Sequence, residues 1–174
     1  KNWTAANDYW KQTLAAAGTD TAYADVRAKT MYEIASSASD KADAATGAAK
    51  RAAAREAIKP WQDYFAAANN DLMLADAIDN TARMYVDAGD SASVPSVYAP
   101  LLANPSKYGE QSLVHAGVVA TRNVRFADAG HLSDAALSQN PSSLHAPHNL
   151  AAPHTQTNDP STTLHPSPEP TRHA

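Results

Sequence analysis

The chain has 174 residues, 44% of them hydrophobic and many of those alanine, and its formal net charge is −4 at pH 7. This length fits one domain of ordinary size, and the acidic balance argues against nucleic-acid binding through a basic surface. The absence of cysteine excludes a disulfide framework, a cysteine-based zinc site and a thiol nucleophile. No apolar run approaches the roughly 20 residues that a membrane span requires, so no membrane span is predicted.

The composition changes near residue 140, where an alanine-rich sequence gives way to one dominated by proline, histidine, serine, threonine and asparagine. Proline removes backbone hydrogen-bond donors, and the polar residues around it leave little apolar surface to bury. The segment therefore cannot recover the entropy that ordering costs. We predict a helical domain over residues 1–138. Over residues 139–174 we predict an extended or disordered C-terminal arm, which favours polyproline II when alone.

The first two helices are predicted from apolar residues that recur at three- and four-residue steps. The first covers residues 2–17, and its stripe consists of Trp3, Ala6, Trp10, Leu14 and Ala17. Gly18 then stands where a C-terminal glycine cap belongs. The second helix is expected to fade into the serine-rich residues 36–39, and its apolar face consists of Tyr23, Val26, Thr30 and Ile34.

A third helix is predicted from Asp40 onward, with Gly47 weakening its middle. It is rich in alanine and has almost no large apolar side chain until Ile58, so it packs closely against neighbours or stands partly in solvent. Pro60 is expected to break this helix or to begin a new one at its first position. Its basic residues are interpreted as a solvated face rather than a phosphate-binding patch, and they are Lys50, Arg51, Arg55 and Lys59.

The densest aromatic stripe of the chain contains Trp61, Tyr64 and Phe65. Helical spacing alone explains such a stripe as core or helix–helix contact, which is the interpretation we adopt. The alternative is a binding site in which a small ligand stacks on the rings. That alternative requires the rings to line a cavity and not a filled core.

Several shorter helices are predicted in the remainder of the body. They cover residues 71–88, ended by Gly89, then 94–103, then 106–116 with Ser106 as the cap, and a last one from Ser133 to Leu137. Residues 118–126 have β character, but a lone strand would leave its edges unpaired, so we predict helix or extended chain there. The predicted fold is an all-α bundle of about five to seven helices with an extended Pro/His-rich arm.

Acid–base chemistry has three candidate residues, Glu110, His115 and His131. Glu110 and His115 are five residues apart, which on a helix separates their directions by about 140°. Ordinary surface polarity is therefore the competing interpretation. Convergence of the three side chains in one concave pocket would favour an active site, and scatter over the surface would disfavour it.

No metal site and no cofactor are predicted. His145 and His148 are three residues apart, but Pro147 between them prevents the helix that would bring both imidazoles to one face. Asp76 and Asp79 are three apart on a predicted helix and are interpreted as a solvated face rather than a shared cation site. The sequence carries no glycine-rich phosphate loop and no metal-binding motif.

These patterns predict a non-enzymatic structural or interaction protein, a subunit of a larger assembly of the virion or secretion-apparatus type. The C-terminal arm is expected to contact a neighbouring subunit, which is a protein partner or a second copy. The assembly interpretation favours a virion or a secreted, extracytoplasmic location. The alternative is a secreted effector or enzyme-like domain cut from a longer chain, with an active site around Glu110, His115 and His131.

Overall fold

The structure, a computed structural model, describes residues 3–68 and 71–142, and its regular elements are all helical. The α-helices of this described part are α1 (Trp3–Ala17), α2 (Ala24–Asp43), α3 (Gly47–Ala67), α4 (Asp71–Asp87), α5 (Pro95–Ala103), α6 (Glu110–Arg122) and α7 (Phe126–Gln139). The predicted all-α bundle is therefore confirmed. The predicted arm over residues 139–174 lies, from residue 143 onward, outside the described residues.

The helices form two packed halves that share α4. Along the chain α1 packs on α2, α2 on α3 and α3 on α4, whereas α4 continues to α6 and α6 to α7. The short α5 contacts α4, α6 and α7. The N-terminal half has a core drawn from α2, α3 and α4, and the C-terminal half has one drawn from α4 to α7.

Alanine dominates the contact between α2 and α3. Its buried alanines are Ala28, Ala35 and Ala42 on α2, at seven-residue spacing, and Ala53, Ala54 and Ala57 on α3. Side chains this small allow two helix backbones to approach closely. The expected fading of α2 at residues 36–39 is wrong, because Ser37 and Ser39 are buried and the helix continues to Asp43.

The alanine-rich helix that was predicted from Asp40 to Pro60 has different bounds in the structure. The helix predicted from Asp40 is split, because α2 ends at Asp43 and α3 begins at Gly47, whose φ of +57° suits glycine. The break expected at Pro60 is also wrong, since α3 runs through it to Ala67. An interior proline costs about 3 kcal/mol. Burial of Trp61 and Tyr64, each only 1% exposed, offsets that cost.

The last two helices are longer than predicted. Ser106 does not cap α6 but lies in a single 3-10 turn, Pro105–Lys107, and α6 begins at Glu110. It extends through the valine-rich stretch because Val119 is buried there, and α7 begins only four residues after α6 ends. Ser133, expected to cap a last short helix, is instead fully buried inside α7.

Candidate functional site

A histidine–aspartate pair joins α6 to α4. The Nδ1 atom of His115 lies 2.7 Å from Oδ2 of Asp79, and the two side chains are 36% and 34% exposed. The hydrogen bond to Asp79 raises the pKa of His115 above its ordinary value, and this effect outweighs partial burial, which lowers it. The other carboxylate oxygen of Asp79, Oδ1, is buried and has no hydrogen-bond partner among the described residues.

A second carboxylate of α4, that of Asp76, binds the N-terminal half of the protein. Oδ2 of Asp76 accepts a 2.6 Å hydrogen bond from the Tyr32 hydroxyl of α2 and a 3.0 Å bond from Nδ2 of Asn80. Burial, and then the hydrogen bond to Asp76, raise the pKa of Tyr32 well above its ordinary value. Asp76 and Asp79 therefore hold α4 to different helices, which a plain solvated face would not do.

The other two acid–base candidates have different surroundings from His115. Glu110 is the first residue of α6, and its Oε2 accepts a 3.1 Å hydrogen bond from Nδ2 of Asn140, just beyond α7. His131 lies on α7 and is exposed. The structure thus places His115 against α4 and Glu110 beside the C-terminal end of α7, and it leaves His131 exposed to solvent. The acid–base assignment stays a prediction.

The aromatic stripe of α3 lies mostly in the core. Trp61 and Tyr64 are almost completely buried, and each makes an edge-to-face contact with Tyr32 at centroid distances of 5.5 and 5.4 Å. Nε1 of Trp61 donates a 2.8 Å hydrogen bond to Oγ of Ser39, which satisfies the indole inside the core. The third residue of the stripe, Phe65, is partly buried and lines a cavity.

That cavity has a volume of about 330 Å³ and lies between α3, α4 and α5. We call it the α3–α5 cavity, and it is lined by Gln62, Phe65, Ala66, Thr81, Tyr85, Ser96, Val97, Pro100 and Tyr108. None of these residues is charged. The Tyr85 oxygen accepts a 3.0 Å hydrogen bond from Nε2 of Gln62. A second cavity, of about 350 Å³, lies between α1, α2 and α3 and is lined by Leu14, Met31, Ile34, Pro60, Asp63, Ala66 and Ala67.

The basic residues of α3 largely contact their own body. Nζ of Lys50 lies 3.1 Å from Oδ2 of Asp87 on α4. Nη2 of Arg55 donates a 3.2 Å hydrogen bond to the carbonyl of Ala88, at the C-terminal end of α4, where the helix dipole favours a cation. Lys59 pairs with Asp63 on its own helix. The contacts of Lys50 and Arg55 connect α3 to α4.

Within residues 3–68 and 71–142, no group of three or more histidine, aspartate or glutamate residues is placed to hold a metal ion. In the same part of the chain, no helix has both the length and the apolar character to cross a bilayer. In comparisons with known proteins, no protein-family model, no curated protein and no solved structure matches this chain.

Proposed function

We propose that this chain is a structural or interaction protein, a subunit of a larger assembly of the virion or secretion-apparatus type. In this assembly the arm that follows Ser142 contacts a neighbouring subunit. The observation that carries the proposal is a firmly held arm root at the end of α7, followed by a sequence with too little apolar surface to fold by itself.

The root is held by two consecutive side chains. Nε2 of Gln139 donates hydrogen bonds of 2.7 and 3.3 Å to the carbonyls of Tyr108 and Pro105. Nδ2 of Asn140 donates to Glu110, and its Oδ1 accepts a 3.2 Å bond from the backbone N–H of Ser142. Residues 139–142 are thus held at a defined position next to the beginning of α6.

A fixed root makes arm docking less costly. Association loses free energy because segments that were free become ordered, and a segment whose first residues are already held loses less. The arm also offers docking groups, since leucine recurs in it at Leu144, Leu150 and Leu164 among residues that are mostly polar or proline. These three side chains are the ones we expect to bury in a neighbouring subunit.

Light scattering on the full chain and on residues 1–142 tests the proposal. We expect the full chain to have the larger mass, and the shortened chain to keep its helical circular dichroism and its urea midpoint while losing assembly. A matched control keeps the length and charge of the arm and replaces Leu144, Leu150 and Leu164 by serine. It should lose assembly as the shortened chain does. Equal masses for the full and shortened chains would contradict the proposal.

A further inference from the structure

The first part of the arm carries an apolar residue at every third position. These residues are Pro141, Leu144, Pro147, Leu150 and Pro153. Polyproline II has three residues per turn and rises about 3.1 Å per residue, so positions three apart line one edge at intervals of about 9 Å. Residues 141–153 contain no Asp, Glu, Lys or Arg. In that conformation the segment presents a neutral apolar edge.

The α3–α5 cavity has the chemistry that such an edge requires. Proline-rich segments dock in grooves lined by aromatic rings, and this cavity presents Phe65, Tyr85 and Tyr108 with no charged residue among them. An apolar cavity of about 150 Å³ takes a benzene ring. The 330 Å³ here therefore has room for two side chains of leucine or proline size.

A hydrogen-bonding group is also available in the cavity. The Tyr85 side chain is mostly buried, and its oxygen already accepts a hydrogen bond from Gln62. Its hydroxyl hydrogen can then be donated to a ligand. Polyproline II has no internal hydrogen bonds, so each of its peptide carbonyls can serve as the acceptor. Apolar contact and one directed hydrogen bond together fit an extended peptide.

The cavity and the arm root share a residue. The side chain of Tyr108 lines the cavity, and its carbonyl accepts the hydrogen bond from Gln139 that holds the root. Leu144 follows Asn140 by four residues, a reach of about 14 Å in extended chain. The origin of the arm and the cavity therefore lie on the same side of the body. Two copies that face each other through this side can exchange arms reciprocally, as in a closed two-fold dimer.

We propose that the α3–α5 cavity receives residues 141–153 of a second copy of this chain, with Leu144 and Pro147 inserted between the rings of Phe65, Tyr85 and Tyr108. This inference rests on the proposed function, which it extends by naming the receptor of the arm and its occupant.

Peptide binding tests the receptor. The probe is a synthetic peptide of residues 141–153, and the protein is the full chain carrying Leu144→Ser and Leu150→Ser, whose own arm cannot compete. We expect saturable binding, measured by calorimetry. Adding Ser96→Trp, an exposed position that lines the cavity, should weaken binding at least about tenfold. Ala99→Trp, exposed on the same helix but outside the cavity, should change it less than about twofold. Equal effects of the two tryptophans would overturn the assignment.

Mixing two full-length variants tests the exchange. Ser96→Trp has an intact arm and a blocked cavity, and the double leucine variant has an intact cavity and an impaired arm. Each alone should have the lower mass, and the equimolar mixture should recover a heteromeric complex in which one arm occupies one cavity. Peptide binding without heteromer formation would show that each arm fills its own cavity, which overturns the exchange.

The two proposals fail in different ways. If assembly of the full chain depends on the arm but Ser96→Trp assembles as well as the unmodified chain, the cavity assignment is overturned and the proposed function survives. If the full chain has the same mass as residues 1–142, the proposed function fails, and the exchange between copies fails with it.

Discussion

The two halves of the body differ in the residue types that form their cores. Between α2 and α3 the buried residues are mostly alanine, and the large side chains are concentrated in one group around Trp61 and Tyr64. In the C-terminal half the core spreads over leucine, valine and isoleucine from several helices, including Leu113 and Leu132, each fully buried. One half brings its backbones close together, and the other interdigitates larger side chains.

The difference predicts where each half is sensitive to substitution. Alanine buries little area per residue, so the N-terminal half depends on its few large rings for apolar burial. Small, fully buried side chains such as Ala35 and Ala54 form its contact between α2 and α3. The C-terminal half distributes its burial over eight leucine, valine and isoleucine side chains and two tyrosines.

Trp61→Ala should cause the largest loss of stability, about 3–5 kcal/mol, because it removes the largest fully buried side chain among the described residues and leaves Ser39 without its hydrogen bond. Urea denaturation followed by circular dichroism measures the change. Leu132→Ala is the matched probe of the other half and should cost less. If Leu132→Ala is the less stable of the two variants, the stability of the N-terminal half does not depend mainly on its buried rings.

Ala54→Leu should destabilise the protein by about 1–3 kcal/mol, because Ala54 is fully buried where α2 and α3 meet and the added carbons have no space. Ala52→Leu is the control, since Ala52 is exposed on the same helix and should change stability by less than about 0.5 kcal/mol. Similar urea midpoints for both variants would indicate that the α2–α3 contact accommodates larger side chains.

Helices could be predicted from the sequence where local signals and tertiary packing agree, and not where the two conflict. The bounds of α1 and α4 could be predicted from the spacing of their apolar residues and from the glycine that follows each helix, Gly18 or Gly89. Here the local signals agree with the packing. Pro60 is different, because its local signal is opposed by contacts that Trp61 makes with another helix. Propensity rules contain no term for such contacts, so the continuity of α3 could not be predicted.

The histidine–aspartate pair could not be predicted either. His115 is 36 residues from Asp79 in the chain, and the pairing depends on how α4 and α6 pack. Sequence spacing identified His115 as a candidate and identified Asp76 and Asp79 as sharing a face, but it grouped His115 with Glu110 and His131 as acid–base candidates and not with Asp79. Tyr32 could not be identified from the sequence either, because its hydrogen bond to Asp76, 44 residues away in the chain, depends on how α2 and α4 pack.

The two halves also differ in which residues adopt a positive φ in the turns between helices. In the N-terminal half, positive φ angles fall on Gly18 and Gly47, whereas the turn between α6 and α7 places Val124 at φ +60°. Val124 is 69% exposed, so no burial offsets a left-handed conformation that costs a β-branched residue about 1–2 kcal/mol.

Val124→Gly should therefore raise stability by about 1 kcal/mol in urea denaturation. Gly89 is the matched position, because it occupies the same site in a turn with the same hydrogen-bond pattern at the end of α4, at φ +80°. Gly89→Ala should lower stability, although a methyl group there would meet no neighbouring atom. A stabilising Gly89→Ala would show that backbone strain does not govern these turns.

The smallest expected change in stability concerns the two carboxylate contacts of α4, which should differ in their pH dependence. The bond between Asp79 and His115 joins α4 to the C-terminal half, and the folded state raises the pKa of His115. Its stabilisation is therefore fully present below the unfolded value of about 6.5 and is lost as pH rises through the folded value. Both side chains are about one-third exposed, so solvent screening limits the effect to less than about 1 kcal/mol.

The bond between Asp76 and Tyr32 joins α4 to the N-terminal half, and the raised pKa of Tyr32 keeps that hydroxyl protonated through the same range. His115→Gln should thus lower stability at pH 5.5 more than at pH 8.5, in urea denaturation at both values. Tyr32→Phe should lower it equally at both. A His115→Gln effect that does not change with pH would mean that the imidazole binds Asp79 as a neutral donor throughout, and the two contacts would then differ only in location.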